Sequence, residues 1–419
     1  MQSRIFSYLT SHKDYKRDYT TTTTTSRSSI YCLHFFLTPT SPSSSTIVIT
    51  LLPNVFMMNT GVLSIWVVVC LVLVGELEAR FARMEENAPD YITWDDMKVD
   101  VVHEQSLRLW LGLKYHQGSR VIVVDQSGKG DSVTVKGAID MVPPFNTQRV
   151  KIYILPGIYR EKVIVPASKP YISFIGNPDR TAETVITWND KASDKVPGGE
   201  LGTCGSATVS VESDYFCARG ITFENSVVAV PGRDGMQAVA LRIAGDRAMF
   251  YGVRILGSQD TLLDETGSHY FYQCYIQGFV DFICGNARSL YKDCELHSTA
   301  ETTGAIAAHH RSSPDEDTGF SFVNCKITGS GSIYLGRAWG NYSRAVYSQC
   351  DIANVVTPSG WSDWDDPWKQ KTAEFGEYQC TGPGADRSKR VPWSKSLNDF
   401  QVQPFLDMNF IGGEQWLRL

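Results

Sequence analysis

The phrase Phe271-Tyr-Gln-Cys274-Tyr-Ile276 decides how the chain is read, because it returns as Tyr291-Lys-Asp-Cys294-Glu-Leu296, Phe322-Val-Asn-Cys325-Lys-Ile327 and Tyr347-Ser-Gln-Cys350-Asp-Ile352. Its cysteines lie 20, 31 and 25 residues apart. Looser versions stand upstream at Phe216-Cys-Ala-Arg-Gly-Ile-Thr-Phe223 and Met249-Phe-Tyr-Gly-Val-Arg-Ile255. A strand-rich repeat of this length, punctuated by Gly and without helices, predicts the coils of a parallel β-solenoid. Coils stacked about 4.8 Å apart set like residues in columns, so aromatic, Cys and aliphatic columns would fill the interior. A β-sandwich with irregular loops is the alternative.

Outward from the repeat, Val121-Ile-Val-Val124, Val150-Lys-Ile-Tyr-Ile-Leu155 and Tyr171-Ile-Ser-Phe-Ile175 are further short β-rich runs. Long amphipathic helices do not recur between them, which argues against a βαβ sheet. One helix is expected over 132–141, ahead of Pro143-Pro144, and residues 396–405 read as a short helix closing one end of the stack. The 419 residues are 42% hydrophobic and 20% charged, which excludes a disordered chain. Thirty-nine basic against 45 acidic residues give a net charge of −6, without the basic surplus of a nucleic-acid tracker.

The amino end differs. Residues 1–57 are rich in Ser and Thr and carry no core-forming period; they read as a low-complexity extension outside the mature protein. After Met58 comes the uncharged run Gly61-Val-Leu-Ser-Ile-Trp-Val-Val-Val-Cys-Leu-Val-Leu-Val-Gly75. It is shorter than the ~20 residues of a spanning helix and fits a secretory signal over 58–79, cut after Ala79. A membrane anchor and a transit peptide are the competing readings. Residues 80–117 form a lead-in, and 118–419 the solenoid domain. No Cys-x-x-Cys pair occurs among the ten cysteines, so a zinc ribbon or redox motif is not expected.

The polar residues fall on the same ladder. Gln237 and Gln259 are 22 apart, and Asp260 and Asp281 are 21 apart. One coil of separation would stack two carboxylates beside two carboxamides. Two such carboxylates cannot both ionise cheaply, so one keeps its proton. That provides a nucleophile or base next to a general acid, with amide N–H donors suited to an oxyanion. Solvated turn ladders are the non-catalytic alternative.

Gly157-Ile-Tyr-Arg-Glu161, Gln237-Ala-Val-Ala-Leu241, Gln259-Asp-Thr-Leu262, Asp281-Phe-Ile-Cys-Gly285 and Leu335-Gly-Arg-Ala-Trp339 stand in this order. Together they resemble the signature blocks of plant pectinesterases (pectin methylesterases), over roughly 118–419. The resemblance implies an all-β, single-stranded right-handed parallel β-helix of the pectin-lyase-like kind, with a short N-terminal helix and a C-terminal closing segment. It implies a secreted cell-wall enzyme that hydrolyses the methyl esters of homogalacturonan, releasing methanol. It assigns Asp281 as nucleophile, Asp260 as acid and then base, and Gln259 as oxyanion stabiliser with Gln237 assisting. Arg337 would hold Asp281 ionised. Thr208, Gln237, Arg337 and Trp339 would contact substrate. No metal or other cofactor is implied. The partners implied are pectin and, in some members, an inhibitor protein. The protein is expected to be a monomer, without nucleic acid and without stable membrane insertion after processing. About 40 residues between Ala79 and Val121 are too few for the inhibitor-like helical pro-domain of some members.

The chain departs from the family's usual form at Cys284, where Phe is common, and at Ala338, where Pro is common. An altered substrate context is the reading drawn from this. The family sometimes bridges near Cys294 and Cys325; free thiols are the alternative. A polymer-cleaving glycosidase, which would also use paired carboxylates, and a non-catalytic pectin-binding protein are the rival functions.

Other signals are weaker. Ser127-Gly-Lys-Gly-Asp-Ser132 lacks the full phosphate-loop spacing and reads as a turn. His309 and His310 should face opposite sides of a strand, so a shared metal is not expected, although one could line a groove. Trp361, Trp364 and Trp368 read as sugar-stacking platforms or flank cover. Asn341-Tyr-Ser343 is a glycosylation acceptor, expected at low occupancy because a glycan there would crowd the groove.

Overall fold

A computed structural model describes residues 91–100, 121–230 and 232–419, all within one compact unit spanning Leu77–Leu419. The expected extension over 1–57, the signal over 58–79 and most of the lead-in over 80–117 lie outside the described residues. No helix among the described residues is long and apolar enough to cross a membrane.

The repeat phrase is one corner of a parallel β-helix. Phe271 points inward from the strand Ser268–Tyr272, Gln273 turns the chain with φ of 52°, Cys274 fills the corner, and Ile276 points inward from Tyr275–Gly278. The next coils repeat the left-handed residue before the cysteine, at Asp293, Asn324, Gln349 and Gln379; upstream coils use Gly220 and Gly252. A left-handed residue costs roughly 1 kcal/mol unless it is Gly, Asn or Asp, which accounts for Gly220, Gly252, Asp293 and Asn324; Gln273, Gln349 and Gln379 carry that cost.

Three parallel ladders follow. The first has 11 strands, from Val121–Val124 to Lys395–Ser396. The second runs from Gly157–Arg160 to Asp351–Ile352 and the third from Val163–Val165 to Trp361–Ser362. Two long strands, Glu295–His309 and Lys326–Arg337, pass from the second ladder into the third, with a shift of register between Thr299 and Thr303. Inside, Phe250, Phe271, Tyr291, Phe322 and Tyr347 stack with ring centroids 4.4–4.8 Å apart. Such pairs add about 0.5–1.5 kcal/mol each beyond burial. The cysteine column runs beside them. Each Sγ donates to a carbonyl of the preceding coil, as Cys294 does to Phe271 at 3.5 Å and Cys325 to Tyr291 at 3.3 Å. All eight described cysteines, Cys294 and Cys325 included, are free thiols.

The expected helix is Val135–Met141. Thr134 caps it, and Glu161 accepts from the amides of Val135 and Lys136 at 2.9 and 3.0 Å. Val135, Ala138 and Ile139 are buried on the solenoid's first coil. Glu161 of the signature blocks therefore serves a helix terminus, where a carboxylate is stabilised.

The carboxyl-terminal tail departs from expectation. A short helix, Asp399–Val402, does form, but the following chain runs back along the outer face of the first ladder and does not plug an end. Phe410, Ile411, Trp416 and Leu417 pack there with Met249, Leu290 and Ile92, and Leu417–Arg418 pairs in parallel with Ile92–Thr93. The cause is hydrophobic: alternate residues of the first ladder leave an apolar stripe facing outward, and the tail covers it.

Candidate active site

The third ladder has an outward column set by its register: Arg242, Leu263, Cys284, Ala308, Arg337 and Ser362 on successive coils. Just ahead of those strands the chain turns through Gln259-Asp260 and Val280-Asp281. Gln259 bridges Val280, the Asp260 amide donates to Val280 at 3.3 Å, and the Ala238 amide donates to Gln259 at 3.1 Å. The coils carrying Gln237, Gln259–Asp260 and Asp281 are thus hydrogen-bonded neighbours, as the 22- and 21-residue spacings required. Gln237, Gln259, Asp260, Asp281, Arg337 and Trp339 all line one cavity of about 520 Å³.

Asp260 and Asp281 are both left-handed, with φ of 57° and 48°. Asp tolerates this conformation better than most residues, and it aims both carboxyl groups into the cavity from a tight turn. Gly285 closes the same motif at φ of 130°; a Cβ there would lie 1.9 Å from the carbonyl oxygen of Asp264, so only Gly allows the two coils to approach.

Asp281 is 4% exposed and is gripped by Arg337, whose Nε donates to Oδ1 at 2.9 Å and whose Nη2 donates to Oδ2. The same guanidinium lies over the Trp364 ring, 3.9 Å from its carbon to the ring centroid. Burial pushes the Asp281 carboxyl up and Arg337 opposes this without cancelling it. The sequence had suggested that Arg337 would dominate; the water-excluding floor outweighs it. Asp260 is raised well above the ordinary carboxylate range, first by burial, then by the charge of Asp281, against a weaker pull from Arg337. Only Asp281 has a guanidinium bound to it. It therefore ionises first and the proton stays on Asp260; the spacing alone had implied only that one of the two keeps its proton. Gln237 and Gln259, both half-buried, line the same cavity.

Trp339 is 40% exposed at the rim and packs against His310, ring centroids 4.3 Å apart. The turn carrying it is held by Lys369, which is 8% exposed and donates to the carbonyls of Ala338 and Trp339 at 2.9 and 3.1 Å. His309 and His310 do part company. His310 lines the cavity; His309 is buried, with burial pushing its imidazole down to about 3.

Two sequence assignments are corrected. Thr208 is fully buried, with Oγ1 donating to the Glu224 carbonyl at 2.8 Å, and does not reach the cavity; Thr203 does. It stands one residue ahead of the strand Val209–Val211, where its amide donates to the Val239 carbonyl and its hydroxyl is used up on the neighbouring chain. Trp361 is no platform: it is 1% exposed, stacks on Phe375 at 4.5 Å and bonds Glu377. Trp368 is half exposed beside Tyr342. Sequence reasoning gave no role to Lys369 or to Trp364 against Arg337. Only the coil register, Gly336 and Arg337 opposite Trp361 and Ser362, could have signalled the second. Among the described residues no group of three or more His, Cys, Asp or Glu is placed to hold a metal ion.

The family model described as Pectinesterase matches residues 121–414. Pectinesterase QRT1 of Arabidopsis thaliana is 63% identical over 344 residues, covering 79% of this chain and 90% of that protein. Putative pectinesterase 11 of the same plant is 48% identical over 300 residues, covering 71% and 81%. Among solved structures, the pectin methylesterase from carrot matches with a TM-score of 0.66 at 36% identity, covering 73% of this chain and 96% of that one.

Proposed function

This chain belongs to the pectinesterase family, and from that premise we propose that it removes methyl groups from pectin by the chemistry of Asp281 and Asp260. The ionised Asp281 carboxylate attacks the ester carbonyl carbon. The carbonyl π electrons move to oxygen, where the Gln259 and Gln237 amides donate; one such donor is typically worth about 3–4 kcal/mol in the transition state. Collapse of this intermediate breaks the bond to the methoxy oxygen, which takes the Asp260 proton and leaves as methanol. Asp260, now a carboxylate, takes a proton from water, and the hydroxide attacks the acyl carbon. Expulsion of Asp281 leaves a carboxylic acid on the sugar, which loses its proton to solvent to become the free carboxylate, while Asp260 keeps the proton it took from water. Arg337 aims Asp281 and keeps its negative charge in a buried place. Trp339 and Gln237 offer a face and a donor to the sugar.

The observation that carries this reading is the asymmetry of the carboxyl pair: Asp281 is buried and clamped by Arg337, while Asp260 is half-buried with no cation among the described residues bonded to it. The pair suits acid and nucleophile better than two solvated turn residues. In the same reading the segment 58–79 directs secretion to the cell wall, 118–419 is the catalytic domain, the enzyme works as a monomer, and an inhibitor protein is a candidate partner. The test is methanol release from methyl-esterified pectin by protein beginning at residue 80, with Asp281→Ala as control. Methanol from wild type alone supports the reading. Shortened polymer without methanol would replace it with a glycosidase, and pectin binding without either product with a wall-binding protein.

A further inference from the structure

The outward column of the third ladder has an uneven profile. Arg242 and Arg337 bound it, and between them lie Leu263, Cys284 and Ala308, one per coil. These three are 4%, 3% and 1% exposed and form one apolar cluster with Ala207 and Val239, against which Trp364 packs. All three also line the catalytic cavity. Cys284 and Ala308 extend little beyond Cβ, so the middle of the floor is low. Asp260 and Asp281 stand three residues before Leu263 and Cys284 on the same two coils. The polar side of the cavity is already engaged: Arg337 by Asp281, and the Gln amides by the carbonyl oxygen in the mechanism above. Of the other apolar walls, Trp339 is offered to the sugar and Trp364 is stacked on Arg337, which leaves the alkyl part of the leaving alcohol, whose oxygen must meet Asp260, with this floor.

We propose that the recess over Cys284 and Ala308 is the leaving-alcohol pocket and that it accepts alkoxy groups larger than methyl, giving this protein activity on ethyl and propyl esters of polygalacturonate. The inference rests on the mechanism proposed above. The bond changes are those of the methyl reaction, with ethanol or propanol taking the Asp260 proton. An apolar recess favours each added methylene by about fourfold where it is fully buried, which offsets the slower expulsion of a larger alkoxide. Filling the floor should remove that gain, because added volume in a packed site clashes before it relaxes.

The experiment measures kcat/KM for methanol, ethanol and propanol release from polygalacturonate esterified to the same degree with each alcohol. Wild type is expected to hydrolyse the ethyl ester within about tenfold of the methyl ester. Cys284→Leu and, independently, Ala308→Val should each lower the ethyl-to-methyl ratio at least fivefold, and the propyl-to-methyl ratio further. A variant that merely disturbed the fold would lower all three rates together and leave the ratio alone. An unchanged ratio in either variant overturns the proposal. So does a wild-type ethyl rate at background beside normal methanol release. Absence of methanol from wild type would instead bring down the underlying mechanism.

Discussion

Asp281 and Gln259 share a cavity yet differ in what their loss should do. In the proposed mechanism Asp281→Asn keeps the shape and removes the nucleophile, so methanol release should fall to near background while pectin binding persists. Gln259→Ala removes one oxyanion donor and should cost about 10²–10³-fold in kcat. Equal, mild losses in a steady-state assay of the two variants would contradict the assignment. Arg337 sets the pH window. Activity needs Asp281 ionised, so it is lost as pH falls through that carboxyl's raised pKa; it needs Asp260 protonated, so it is lost as pH rises through the still higher pKa of Asp260. Arg337 lowers both. Arg337→Gln should therefore move both limbs of the kcat/KM profile for methanol release to higher pH, besides lowering its height. The pairing of Asp260 with Asp281 was legible in the sequence because one coil's length is a number that can be counted. The burial of Thr208 was not, because its hydroxyl is taken by the Glu224 carbonyl, a partner 16 residues away that only the folded coil brings to it. The balance at Asp281 was not legible either, since burial is a property of the packed floor.

Where the third-ladder strand Leu262–Asp264 passes into the first-ladder strand Ser268–Tyr272, the solenoid holds a charged pair that takes no part in the chemistry above. His269 and Asp264 are both wholly buried; Nδ1 lies 2.5 Å from Oδ1 of Asp264, and Nε2 lies 2.8 Å from the Gly245 carbonyl. A carbonyl can only accept, so Nε2 carries a proton, while Tyr291 donates to the other Asp264 oxygen at 2.6 Å. Burial alone would push the His269 imidazole down, but Asp264 and the carbonyl raise it above its ordinary value. The pair's stabilisation is therefore full below the unfolded histidine pKa, near 6.5, and is lost as pH rises through the higher folded value. His269→Gln should cost about 3–5 kcal/mol at pH 5, and the difference from wild type should shrink toward alkaline pH. Urea titrations of both proteins at pH 5 and 9 check this; a gap that widened with pH would refute it. At this scale the repeat phrase disclosed the columns, whereas the left-handed turn before each Cys appeared only as a run of Gln, Asp and Asn with no evident purpose.

Across the whole molecule the open flank of the first ladder is closed by the tail. Trp416 is 1% exposed, donates from Nε1 to the Ile411 carbonyl at 3.1 Å, and lies over Ile92 and the outward residues of the strands beneath. Trp416→Ala should cost about 3–5 kcal/mol without changing the residues of the cavity. It should lower the unfolding midpoint while leaving the KM for pectin, measured below that midpoint, within about twofold. A large KM change at unaltered stability would mean the flank and the cavity communicate. The path of this tail was beyond sequence reading, because it joins segments more than 300 positions apart and each looks unremarkable alone.

That same parallel pairing of Ile92–Thr93 with Leu417–Arg418 carries a temporal consequence. A ribosome delivers roughly 5–20 residues per second, so the earlier partner waits on the order of 15–65 seconds for the later one at that pace. Throughout that interval the growing rod exposes the oily side that the last residues will seal. Synthesis must shelter that side until the final turn of the chain emerges.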